Sequence, residues 1–388
     1  MPAQGYTDAP ADRRPAVGVG MLGYGFMGKA HSNALRTLPY VDWPGVVRPE
    51  LVAIAGRTEE RVREAATRYG FAGYYTDWCG LVEDERVAVF DNVADDPAHV
   101  EPTLAAIAAG KHVVCEKPLA IASADARRMW EAAEGAGVKH LCCFNYRFVP
   151  AVRLARDMLR RGELGEVYQA RFRYSQQWRR DPEAALPSPA GALRIVGCHA
   201  IDQARFLVGE IANVSALFTS PVTTPDRRYR DAPIEPDDTV AALVGFANGV
   251  AATIDASLVS RGRRNMLTWE LNCARGTLVW DLERLNELRV YAARDGENTV
   301  DGLLDVIVCE PDHPFMDLWW PTGHIVGWEH AHINMFQHFL RCVADDRSVG
   351  PDGATFEDGY RTALISEAMR ASAETGRRVE VQADAPAS

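Results

Sequence analysis

The residues best suited to chemistry open the chain. Gly23-Tyr24-Gly25-Phe26-Met27-Gly28 has the spacing Gly-x-Gly-x-x-Gly. It follows directly on an apolar, partly β-branched run, AVGVGML, and precedes KAHSNALRTL, which has helical character. Glycines so placed permit a tight turn and let the backbone approach a pyrophosphate, whose charge meets the unbonded N–H groups at the helix start. The strand–turn–helix setting lifts the motif above a glycine-rich turn without a ligand, and the segment reads as a dinucleotide-phosphate loop.

The next strand should end in an acid that holds the ribose 2′-hydroxyl of NAD. It ends instead in Ala55-Gly56-Arg57-Thr58, and the first carboxylate, Glu59, falls in the following helix. An arginine beside a hydroxyl suits a 2′-phosphate, so Arg57 and Thr58 lean the cofactor toward NADP. Arg57 can equally cover the adenine face, which leaves NAD acceptable.

Two other sets of ligating side chains carry less. His330, His332 and His338 share a helical stretch, but H-x-H points the first two to different faces and no nearby acid or thiol completes a set. No metal is expected, and INMFQHFL reads as a core-facing stripe. The eight cysteines show no C-x-x-C spacing, and Cys142 and Cys143 sit in an apolar run as buried thiols, consistent with a reduced compartment.

The elements that position the loop form a βα alternation. Strands at 16–22, 50–56, 87–94, 112–118 and 139–147 are separated by helices at about 58–70, 97–109 and 124–136, with Thr58 as an N-cap. This pattern predicts a doubly wound parallel sheet with right-handed crossovers. After a helix near 149–161 the pattern changes to consecutive strands: VYQARFRYSQQW, a hairpin about Asn248-Gly249 suited to a type I′ turn, MLTWELN and GTLVWDL. A short helix, HAIDQARFLVG, interrupts them, and residues 329–376 return to helix with a break at 349–354. The fold class is therefore α/β, an N-terminal Rossmann domain joined to a C-terminal α+β domain with a large, mostly antiparallel open sheet. The expected division is a loose tail at 1–15, the dinucleotide domain at 16–142 and a substrate and oligomerisation domain at 143–388.

A chain of 388 residues is long for one ordinary domain. Its net charge of −11 argues against nucleic acid or an anionic membrane as partner. No apolar run approaches the ~20 residues of a membrane span, and the start lacks a signal-peptide layout, so a cytoplasmic protein is expected.

Beyond Cys115-Glu116-Lys117-Pro118-Leu119 the reading becomes specific. GKHVVCEKPL, FNYRFVPAV, the GELGEV turn, GCHAIDQARFLVGE and the closing FEDGYRTALISEAMRASAETGRRVEV together resemble the Gfo/Idh/MocA oxidoreductases over 17–381. The length, the Trp-rich loops and FNYRFVPAV are most similar to the levoglucosan and inositol dehydrogenase branch. The resemblance implies hydride transfer between NAD or NADP and a ring hydroxyl of a sugar, cyclitol or glycoside. It assigns Lys117 to the reacting oxygen and His199 to general base, a role suited to a pKa near neutrality. Gly23, Gly25, Phe26, Met27, Gly28, Arg57, Thr58, Asp95, His99, Glu116 and Lys117 would then bind the cofactor. Asn145, Tyr146, Arg147, Trp178, Asp202 and His199 would face the substrate, with Gln177, Arg179, Trp319, Trp320, His324 and Trp328 as further candidates. Relatives cover the open sheet by forming dimers or tetramers, so a homo-oligomer is expected.

Two departures stand out. Ile195 occupies the position, four before His199, where the family usually has a carboxylate; Asp202, one helical turn beyond, is the acid left to reach the imidazole. Asp95 and Asp96 replace a Pro-Asn pair beside the nicotinamide ribose, where negative charge would stabilise the oxidised ring. Two alternatives follow: a glycoside-cleaving enzyme that oxidises transiently and recycles its cofactor, or a non-catalytic cofactor- and sugar-binding regulator.

Overall fold

The computed structural model describes residues 14–43, 45–177, 191–220, 237–293 and 301–381. The N-terminal half runs β1 (Ala16–Leu22), α1 (Phe26–Val41), β2 (Arg48–Ala55), α2 (Glu59–Tyr69), β3 (Gly73–Tyr75), α3 (Cys79–Glu83), β4 (Val89–Asn92), α4 (Val100–Ala108), β5 (His112–Cys115), α5 (Ser123–Ala136) and β6 (His140–Cys142). Its strands pair in parallel in the order β3-β2-β1-β4-β5-β6. The order reverses between β1 and β4, and a doubly wound sheet binds its ligand at such a switch point, outside the carboxyl ends of the strands. The strands are apolar because helices cover both faces: Val19, Met21, Ile54, Val89, Phe90, Val113 and Val114 have no exposed surface.

The second half runs α6 (Pro150–Arg160), β7 (Val167–Ser175), α7 (Cys198–Leu207), β8 (Ile211–Thr219), β9 (Thr239–Phe246), β10 (Ala251–Ser257), β11 (Met266–Cys273), β12 (Gly276–Asp281), β13 (Glu287–Ala292), β14 (Leu304–Ile307), α8 (Trp328–Ala344), α9 (Phe356–Thr375) and β15 (Val379–Glu380). The sheet order is β14-β13-β12-β11-β7-β10-β9-β8-β15, antiparallel throughout except for the β7–β10 pair. In β7, Ala170, Phe172 and Tyr174 point into the core while Arg171 and Arg173 face outward, the alternation of a sheet with one buried face. Helices α7 and α9 lie on the inner side. No described helix is long and apolar enough to cross a membrane.

Two expectations are corrected. The strand expected over 139–147 ends at Cys142, and Asn145–Phe148 forms a 3-10 turn. All four turn residues are buried, which the alternating faces of an extended strand would not allow. The β9–β10 hairpin forms, with Gly249 at φ 89°, but Asn248 keeps an ordinary negative φ. A type I′ turn needs positive φ at both central residues, so the turn is of another kind. In α8, Ile333, Met335, Phe336, Phe339 and Leu340 share a core with Val19 and Met21 of the parallel sheet and Leu35 of α1, and α9 packs on α5. The C-terminal helices thus clothe the first sheet as well as the second.

Candidate active site

The glycine loop is built as its spacing demands. Gly23 has φ 106°, and a Cβ there would lie 2.8 Å from the Val93 carbonyl. A Cβ on Gly28 would lie 2.8 Å from the Gly23 carbonyl, which is what brings α1 close to β1. Around Gly25 there is open space, and as N-cap of α1 it leaves the helix without a side-chain cap. The first N–H groups of α1, at Phe26 and Met27, are thereby left for a ligand, and the cradle fits a pyrophosphate. At the end of β2, Arg57 and Thr58 are exposed. The Tyr24 ring lies across Gly56 where a side chain would start, so an acid there would have to displace the ring.

Beneath the loops runs a buried chain of charges. His31, in the second turn of α1, places Nδ1 3.0 Å from both Asp91 oxygens and Nε2 3.1 Å from Glu116. The other Glu116 oxygen accepts the Lys117 backbone N–H at 3.0 Å. Burial opposes a charge on His31, but the two carboxylates override it and push its pKa up to about 10, so both ring nitrogens donate. Glu116, expected at the cofactor, makes these two bonds with its two oxygens. His31, Glu116 and Cys143 bring ligating atoms within 4.8 Å of one another, yet both nitrogens of His31 are already spent on carboxylates. His99, also expected at the cofactor, is wholly buried and contacts the Pro118 carbonyl (2.9 Å) and the Ala94 carbonyl (3.0 Å), tying together the loops after β4 and β5.

Lys117 emerges from this floor, and its Nζ donates to the main-chain carbonyl of Ile195 at 3.1 Å. Ile195 lies in a π-helical turn, Leu193–Gly197, that leads into α7. Its side chain packs on the second core, and its carbonyl takes up the lysine in place of the family carboxylate. Burial works against the Lys117 charge, but Cys198, Glu116 and Asp96 nearby hold its pKa above the ordinary lysine value. His199 is ringed by Phe144, Tyr146 and Tyr174, with centroids at 5.9, 4.9 and 5.7 Å. Burial first, then the positive field of Lys117, hold its pKa well below the usual histidine value, so the ring is neutral. A cationic donor and a neutral base stand side by side.

Asp202 does not serve His199. It is 1% exposed and is gripped by Arg147, whose Nη2 lies 2.6 Å and Nε 3.0 Å from one of its oxygens. Arg147 also meets Asp358 at 3.1 Å, and Asp358 pairs with Arg205 at 2.9 Å. Both residues were expected at the substrate; in the structure they form a buried ion pair that joins the 145–148 turn to α7, where an unpaired charge would be costly. Tyr146 reaches the site through its ring, and its hydroxyl is 3.0 Å from that of Tyr174, which donates to Asn265 at 2.7 Å. Asn145 is buried with its Nδ2 unpartnered, a donor available to a ligand. Gln177 accepts from the Gly262 N–H at 3.1 Å. Trp178 and Arg179 lie outside the described residues. Trp328 stacks on Phe26 of the phosphate loop at 5.5 Å, while Trp319 packs on His330 and donates to Asn334 at 3.1 Å.

The negative charge expected from the double aspartate is largely cancelled. Asp95 is exposed, and Asp96 is bonded at 2.5 Å to Arg194 of the π-helical turn. Arg194, His31 and Asp91 are the members of these pairings that sequence reasoning passed over. Asp91 carried a signal: a carboxylate inside a buried parallel strand requires a buried partner. Arg194 carried none, since its partner lies 98 residues away.

A parallel sheet of order 3-2-1-4-5-6 with a free-amide glycine loop, facing a lysine and a neutral histidine, defines a two-domain dinucleotide-dependent oxidoreductase. The chain belongs to the Gfo/Idh/MocA oxidoreductase family: residues 17–144 match its NAD-binding Rossmann domain and residues 152–279 its C-terminal domain. Levoglucosan dehydrogenase of Pseudarthrobacter phenanthrenivorans is 33% identical over 387 residues, covering 94% of this chain and 97% of that one. D-apiose dehydrogenase of Paraburkholderia graminis is 28% identical over 380 residues, 95% of this chain and 91% of that one. A solved structure of levoglucosan dehydrogenase with NADH and levoglucosan superposes with a TM-score of 0.90 at 34% identity, covering 95% of this chain and 99% of that one.

Proposed function

We propose that this protein oxidises a ring hydroxyl of a sugar, cyclitol or glycoside. The observation that carries the reading is the pairing of a cationic Lys117 with a neutral His199 at the mouth of a dinucleotide loop. The bound nicotinamide supplies the hydride acceptor. Lys117 Nζ, moving from the Ile195 carbonyl, donates to the reacting oxygen and favours its alkoxide character. His199 takes the hydroxyl proton, and the Asn145 amide is free to orient a neighbouring hydroxyl. The tyrosine pair at 146 and 174 forms an apolar wall with polar tips, apt for a sugar ring. Names of relatives support sugar-like substrates.

Both NAD and NADP are proposed as cofactors, with Arg57 and Thr58 favouring the 2′-phosphate because no acid stands at 56. We also propose a homo-oligomer. On the outer face of the second sheet Tyr168, Leu217 and Leu243 are 65, 63 and 65% exposed, which a second copy would cover. The test is reduced-cofactor absorbance with NAD+ and NADP+ separately, over inositols, free sugars and glycosides. A rise that disappears in Lys117→Ala supports the reading; no rise with any pair, despite cofactor binding, overturns it.

A further inference from the structure

The base of the proposed reaction lacks the acid that would orient it. Ile195 stands where the family places a carboxylate, and Asp202 is paired with Arg147. Among the described residues nothing hydrogen-bonds the His199 ring. A base must hold a nitrogen toward the proton it takes, and a histidine is usually steered by an acid on its other nitrogen. Here the ring is bounded instead by Phe144, Tyr146 and Tyr174. Such walls orient an imidazole only if they are themselves fixed.

Two of them are fixed by a chain of hydroxyls. Tyr174, in β7, donates its proton to Asn265 Oδ1 at 2.7 Å. A hydroxyl has one proton, so toward Tyr146, 3.0 Å away, the Tyr174 oxygen accepts. Burial, with Tyr146 beside it, holds the Tyr174 pKa well above the ordinary value, so it stays a donor at working pH. Gln176 Nε2 donates to the same Asn265 oxygen. Asn265 is anchored in turn: its N–H and that of Arg264 donate to Glu283 at 3.0 and 2.8 Å, in the 282–284 turn after β12. The bond between the two hydroxyls joins the 145–148 turn to β7, and His199 lies against both rings.

We propose that Asn265 is a positioning residue for His199, holding the imidazole through Tyr174 and Tyr146 by ring packing where the family uses a carboxylate. This rests on the dehydrogenase reading above. The same cage keeps the ring dry. The ionisable groups around His199 are Lys117 and His332, which both oppose its protonation, the two tyrosines, and Cys198 next to it in α7. Loosening the cage admits water, which favours the protonated ring and lets it turn away from the reacting hydroxyl.

The experiment uses three variants in the reduced-cofactor assay. Tyr174→Phe keeps the ring and cuts the chain, Asn265→Leu removes the acceptor, and Asn265→Asp keeps one. In the first two, kcat falls about 10- to 100-fold, the scale of a misplaced catalytic group. The KM for the cofactor holds, and the acid limb of kcat/KM moves up toward 6.5. Asn265→Asp recovers most of the kcat lost in Asn265→Leu. A simple loss of folded protein lowers kcat at an unmoved limb, so that result overturns the proposal, as does a silent Tyr174→Phe. Should Asn265→Leu fail to fold, Tyr174→Phe decides. If no substrate is turned over, NMR of histidine-labelled protein reads the same ring, with His199 assigned by its absence in His199→Asn. Titration well below 6.5 in wild type and closer to 6.5 in Tyr174→Phe supports the hold on the imidazole and removes only the dehydrogenase reading. Equal titration in both overturns the positioning role.

Discussion

The Nζ of Lys117 donates to the main-chain carbonyl of Ile195 across 3.1 Å, from the end of the parallel sheet to the turn that leads into α7. A backbone carbonyl is a weaker acceptor than the carboxylate the family usually places there, and it carries no charge to pass to His199. The lysine therefore remains a mobile cation, held in place but readily released to a substrate oxygen.

Replacing Lys117 with alanine should lower kcat by about 10²- to 10⁴-fold, the usual worth of a positioned proton-handling group. NADH binding, measured by fluorescence, should persist. Loss of binding in step with activity would make Lys117 a cofactor anchor instead.

His199 is held below its ordinary pKa of 6.5, so it is unprotonated and competent as a base below that pH. The acid limb of kcat/KM should therefore lie below 6.5, and His199→Asn should remove it while lowering the plateau. A limb centred at or above 6.5 would assign the base elsewhere.

His31 gives the opposite sign. Its pKa is 6.5 ordinarily and about 10 when folded, so its contribution to stability is complete below 6.5 and is lost as pH rises toward 10. Urea midpoints of wild type should fall over that window. His31→Gln should flatten the trend and cost about 3–5 kcal/mol, since two carboxylates lose a buried cation.

Asp202→Asn should act on stability rather than on the sugar. Leaving Arg147 short of its buried partner costs on the order of 3–5 kcal/mol, read as a lower denaturation midpoint, with the sugar KM little changed. A raised KM at unchanged stability would return Asp202 to the substrate.

Arg57→Ala should raise the KM for NADP+ about tenfold, the loss of one charge-assisted bond of roughly 1.4 kcal/mol, and leave that for NAD+ unchanged. Equal effects on both would place Arg57 over the adenine.

The parallel sheet, the phosphate loop and the places of Lys117 and His199 along the chain were legible before any coordinates. Those features rest on local patterns: apolar runs of strand length, glycines at set intervals, and short motifs contiguous in the chain. The sequence also located the departure at Ile195. The tertiary structure decided what that departure does, because the acceptor is a carbonyl exposed to Lys117 by a π-helical turn that no periodicity announces. It likewise decided that Arg147 and Asp202 pair with each other, that Glu116 and His99 bond within the protein, and that Arg194 meets Asp96. Each such pairing joins residues from 55 to 98 positions apart, or two loops, and which partner a charge finds depends on burial and distance. A side chain's type states what it can bond. Only its neighbours in the folded chain state whether anything is left for a ligand.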